Sequence, residues 1–134
     1  MKPCPNKYRS HGGFTLVEIM IVVAIIALLA SIAVPGFLRA RKRSQATRIL
    51  NDLRLIDNAI DQYAIENNKT TTVHPVWTDL KVYIKKNSAL YNSGKDILGN
   101  GYGPFTIDQL PSVPTQSKST LSDVADTSFW SPYQ

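Results

Sequence analysis

Glu18 is the lone ionisable residue in Phe14–Val34 (FTLVEIMIVVAIIALLASIAV), and that run begins directly after Gly12-Gly13. A carboxylate at membrane depth costs roughly 2.5–3.5 kcal/mol even on lenient insertion scales, and ionisable residues placed there mark function. Glu18 also lies close to a candidate cleavage point, the Gly13-Phe14 bond. The arrangement therefore offers two kinds of chemistry. One is hydrolysis of a peptide bond. The other is neutralisation of a carboxylate held in apolar surroundings.

These residues must be positioned by their flanks. At 1.5 Å per residue the run makes about 31 Å of helix, enough to cross a hydrocarbon core of about 30 Å once. The remainder of the 134-residue chain is polar enough for water and amounts to one small domain. A secretory signal places its charged region first, then a short apolar stretch, then a small-residue cut. Here the order is inverted: the glycines precede the apolar run, so a cut after Gly13 would leave the anchor on the mature chain. The formal charge is +5, with 15 basic and 10 acidic residues. Three of the basic residues (Lys2, Lys7, Arg9) precede Gly13, where there are no acids. The pI near 9.4 thus owes much to the first 13 residues and is no nucleic-acid signature. The single cysteine, Cys4, excludes an internal disulfide and lacks the preceding apolar stretch that lipidation needs.

Beyond the run, Pro35-Gly36 should kink or loosen the helix without ending it. Ala46, Ile49, Leu53, Ile56, Ile60 and Tyr63 then recur at steps of three or four and form one apolar stripe. The spacing predicts helix to about Asn67, stopped by Asn67-Asn68 and by the β-branched Thr70-Thr71-Thr72. Residues 78–85 suit a short helix or a strand; the helix is favoured, because Thr78 or Asp79 could cap it. Asn100-Gly101 is a hairpin turn signal and predicts short antiparallel strands near 95–99 and 103–107. Residues 111–128 read as a long Ser/Thr-rich loop. Phe129, Trp130 and Tyr133 are expected to pack back on the long helix. The division expected is 1–13 leader, 14–34 membrane helix, 35–68 amphipathic continuation, and 69–134 a small α+β head.

Gly13-Phe14-Thr15-Leu16-Val17-Glu18, with the spanning run, Pro35 and the basic cluster Arg39, Arg41, Lys42 and Arg43, resembles the signal of type IV prepilins and type II secretion pseudopilins. The resemblance is close over residues 12–45. Asp96-x-x-Gly99-Asn100-x-Tyr102 looks like a turn of the major, G-type pseudopilins. The fold implied is pilin-like α+β: one long N-terminal helix packed against a C-terminal head. The family's prepilin peptidase would cut between Gly13 and Phe14 and N-methylate Phe14. Glu18 would meet the amine of a neighbouring subunit and set the register of a homopolymer, and Pro35 would be the helix kink. Implied partners are the peptidase, an inner-membrane assembly platform, minor pseudopilins and membrane lipid, with no nucleic acid. The implied location is the bacterial inner membrane, single-pass, N-terminus cytoplasmic, with the head periplasmic in an assembled fibre.

The function this implies is a non-enzymatic subunit of a type II secretion pseudopilus. A surface pilin for adhesion, motility or DNA uptake is the first alternative, and a signal-anchored periplasmic accessory protein the second. Major pseudopilins carry calcium in a C-terminal loop, which makes Asp123 and Asp126 weak ligand candidates. No other cofactor is implied. The basic cluster suits anionic headgroups, acidic faces of neighbours, or plain solvation. His11 and His74 stand alone and suggest surface or packing roles. Asn68-Lys69-Thr70 is a glycosylation triplet of a kind common by chance.

Overall fold

The computed structural model describes residues 12–134. Most of the basic leader, with Cys4 and His11, lies outside the described residues. Among the described residues four α-helices follow one another: α1 (Leu16–Glu66), α2 (Trp77–Leu80) with a 3-10 turn over Lys81–Tyr83, α3 (Ala89–Ser93) and α4 (Thr115–Thr120). The chain divides into two compact units between Phe37 and Leu38, just past Pro35-Gly36. Helix α1 runs through both units, and Pro35 lies inside it.

The first unit has no core: every described side chain from Gly12 to Phe37 is exposed. Its apolar window has a mean hydropathy of 2.9, with none of it buried, so its length and composition suit a membrane span.

The second unit is built on the apolar stripe of α1. Ala46, Ile49, Leu53, Ile56, Ala59 and Ile60 are all buried. Full burial of an aliphatic side chain stabilises by about 1.5–3 kcal/mol, so this one face holds much of the fold together. Ala46, Ile49 and Leu53 pack with Val113, Leu121, Ala125, Trp130 and Tyr133. One turn on, Ile56, Ala59 and Ile60 pack with Leu80, Ile84, Leu90, Phe105 and Ile107. The aromatic C-terminus returns to the helix as its composition requires: Trp130 is fully buried, and the Val113 N–H donates to the Tyr133 carbonyl at 3.2 Å. Helix α1 ends where Asn68 takes a φ of 47°, the left-handed cap conformation that asparagine tolerates.

Two expectations are corrected. The first concerns residues 95–107. Among the described residues there is no strand, and a single antiparallel bridge, Lys95–Gly101, stands where the hairpin was expected. The Asp96 carboxylate explains this. Its Oδ1 accepts from the Leu98 and Asn100 N–H groups, each at 2.9 Å, so a side chain takes donors that a ladder would need. Pro104 also brings no N–H to the second segment. The second correction concerns 111–128, which is not all loop: α4 forms within it. The short helix expected within 78–85 is α2. Asp79 supports it from inside the first turn, accepting the Val76 N–H at 3.2 Å, rather than from the cap position.

Candidate functional site

The N-terminal site is built by the start of α1. Gly12 and Gly13 precede the helix, and nothing lies within 4 Å of where a Cβ would stand on either. Among the described residues Gly13 is exposed. Phe14 is 78% exposed. The Thr15 Oγ1 accepts the Glu18 backbone N–H at 3.2 Å, and Glu18 is the acid of the first turn. Thr15-x-x-Glu18 is a capping-box spacing, a signal in the sequence that the reading of Glu18 as an assembly residue left unused. The cap fixes where the helix begins, and a carboxylate in the first turn also suits the positive end of the helix dipole. Glu18 therefore has a local reason to be acidic.

The basic cluster is divided by the second unit. The Lys42 Nζ lies 2.9 Å from Asp123 Oδ2. The Arg43 guanidinium donates to the Val124 carbonyl at 3.2 Å and stands 5.2 Å from the centroid of the Phe129 ring. Two of the four cations thus clasp the C-terminal segment against α1. Arg39 and Arg41 stay exposed.

This clasp decides how Asp123 and Asp126 are used. The hydrogen bond from Lys42 holds the Asp123 carboxyl below its ordinary value. Asp126 accepts from the Ser128 hydroxyl at 2.9 Å and from the Phe129 N–H at 3.0 Å, which lowers its carboxyl likewise. Each acid already has donors. Among the described residues no group of three or more His, Cys, Asp or Glu side chains comes together. A calcium ion wants six to eight oxygens, so the two acids do not fit such a site.

Three tyrosines tie the head to acids of α1, a pattern the sequence reading missed. Tyr102 donates to Asp52 at 3.2 Å, Tyr133 to Asp57 at 3.3 Å and Tyr83 to Glu66 at 2.6 Å. Asp52, Asp57 and Glu66 follow no single helical period, so no local pattern announces it. His74 takes a packing role: its Nδ1 lies 3.1 Å from the Thr106 hydroxyl and 3.3 Å from the Phe105 carbonyl.

Residues 8–34 match the family model for the prokaryotic N-terminal methylation motif. The chain is 34% identical over 64 residues to "Type II secretion system core protein G" of Aeromonas hydrophila, which covers 48% of this chain and 45% of that protein. It is 42% identical over 64 residues to "Type IV wide pilus major component PilA4" of Thermus thermophilus, covering 48% and 49%. It is 33% identical over 88 residues to a "Fimbrial protein" of Pseudomonas aeruginosa, covering 65% and 57%. The chain thus spans about half the length of the curated relatives it matches. No solved structure matches it. The exposed Gly13 and Phe14, the capped start of α1 and these relatives converge: residues 8–34 carry the prokaryotic N-terminal methylation motif, and about half of the chain is similar to type II secretion core protein G and to type IV pilus subunits.

Proposed function

We propose that the chain is a structural subunit of a type II secretion pseudopilus, cut after Gly13, N-methylated on Phe14 and polymerised through α1. The observation that carries this is the methylation motif at residues 8–34, which spans the exposed Gly13 and Phe14. Cleavage frees the amine of Phe14. A secondary N-methyl amine still protonates, so the positive charge survives. In a bundle of apolar helices the amine of one copy and Glu18 of another neutralise each other, where either alone would be costly. The pair therefore selects one axial register. The chain's part is structural, not catalytic.

Residues 1–13 are proposed to face the cytoplasm and the head the periplasm. Prepilin peptidase, an inner-membrane assembly platform and minor pseudopilins are the partners proposed. Arg39 and Arg41, left exposed just past the span, suit anionic headgroups, and Pro35 is proposed as the point where α1 yields. The 42% identity to a Thermus thermophilus pilus component favours a second reading, a surface pilin. Intact mass of the protein from membranes of its native host tests the processing. Loss of residues 1–13 with a gain of about 14 Da on Phe14 supports it, and a full-length mass refutes it. Deleting the gene then separates the two readings. Loss of an exported protein fits a pseudopilin, and loss of a surface fibre fits a pilin.

A further inference from the structure

The second unit leaves part of α1 uncovered, and there two arginines and two aspartates stand on opposite sides of the helix. Arg41 and Arg48 are both exposed. Seven residues apart, they lie on one flank of the helix, with Leu55, 50% exposed, one further step along it. Among the described residues neither arginine has a hydrogen-bond or ion-pair partner. Asp52, a turn from Arg48, is already held by Tyr102.

Asp57 and Asp61 lie on the other flank. Nine residues from Arg48 to Asp57 is about half a revolution at roughly 100° per residue. There Asp57, Asp61 and Asp108 line one depression of about 240 Å³, with Gln109 and Leu110. Leu110 is 51% exposed. Burial, and then the neighbouring Asp61, push the Asp57 carboxyl up, and the three acids together suit a cation. Arg54 sits a turn before Asp57 and pairs with none of these acids.

We propose that the Arg41–Arg48 flank of one copy docks into the Asp57–Asp61–Asp108 depression of a second copy, an interface that rests on the fibre-subunit reading above and names its surface. Charge complementarity selects the occupant, and the half-exposed Leu55 and Leu110 add apolar contact beside it. The two patches differ and face opposite ways, so the contact is heterologous. Such contacts do not stop at a dimer; they propagate into rings or open fibres. The patches are also displaced along α1.

The test uses the full chain in membranes of its native host, in a Cys4→Ser background. Ser44→Cys and Gln109→Cys place thiols beside the two patches and keep every charge. Within one chain Ser44 stands about 20 Å along the axis from Asp57, far beyond the roughly 7 Å that a disulfide tolerates between Cα atoms. Any disulfide therefore joins two copies. A ladder of dimers, trimers and larger species on oxidation is expected, with monomer alone from either single-cysteine chain. Arg48→Asp and Asp61→Arg should each cut the yield of shear-collected fibres at least tenfold, and the double exchange should restore it. Cut chains that form fibres without a ladder, or a ladder that stops at dimer, would overturn the interface and leave the polymer reading standing. Uncut chains with neither fibre nor ladder would sink that reading and the interface with it.

Discussion

Asp52 and Asp57 carry the clearest electrostatic cost in the second unit. Burial is the first cause that raises both carboxyls above the ordinary 3.8, and the hydrogen bonds from Tyr102 and Tyr133 only partly offset it. The native chain therefore holds these protons more readily than the unfolded chain does. Their contribution to stability is lost as pH rises through the raised native values and regained as it falls. Asparagine keeps an oxygen for each tyrosine and removes the charge. Asp52→Asn with Asp57→Asn should raise the melting temperature of the full chain in detergent more at pH 7 than at pH 4. An equal change at both pH values would contradict the assignment. Asp123 and Asp126 run the other way, because donors lower both, and they supply stability that is lost in acid. The clasp around them is uneven. Surface ion pairs are worth little, whereas Arg43 adds a carbonyl bond and an aromatic face. Arg43→Ala should cost about 1 kcal/mol and speed amide exchange over residues 121–130, a larger effect than Lys42→Ala gives.

Among the elements, α1 was the legible one, and the reason is physical. Its stripe repeats over several turns, so each residue's periodicity supports the next, and the buried set recovers five of the six positions read from spacing; Tyr63 is only partly buried. The Asn68 cap and the return of Trp130 were legible for the same kind of reason, one from backbone tolerance and one from the cost of wetting aromatic surface. Helix α4 was not legible. Thr115–Thr120 has weak helix propensity and no apolar period. It forms around Ser117, which is fully buried and whose hydroxyl donates to Asp96 and accepts from Asn100 Nδ2 at 2.7 Å. Those partners are about twenty residues away in sequence, so no local window contains them. The same network removed the expected strands. Ser117→Ala should therefore cost more than a surface serine does, about 1–3 kcal/mol for leaving the Asp96 carboxylate under-satisfied. Trp130→Ala should cost about 3–5 kcal/mol through the cavity it leaves. Trp130→Phe should cost far less, because the buried Trp130 Nε1 has no partner to lose. Denaturant midpoints of the three variants give this order directly.

For the whole molecule, Glu18 separates insertion from assembly. A carboxylate in the apolar run opposes partitioning into the bilayer, so removing its charge cannot hinder anchoring. Nor does it alter Gly13 or Phe14, both exposed. The backbone cap survives too, because Thr15 accepts from the Glu18 N–H and not from its side chain. Glu18→Gln should therefore yield a chain that is membrane-bound, shortened by residues 1–13 and normally folded in its second unit. What it loses is the counter-charge for a neighbour's amine, and with it the preference for one register. The expected result is processed monomer in the membrane with fibre yield at least tenfold down, read by intact mass and by sedimentation of sheared material. Fibres at parental yield would mean that the Glu18 side chain does not set the register, and that it is set elsewhere along α1.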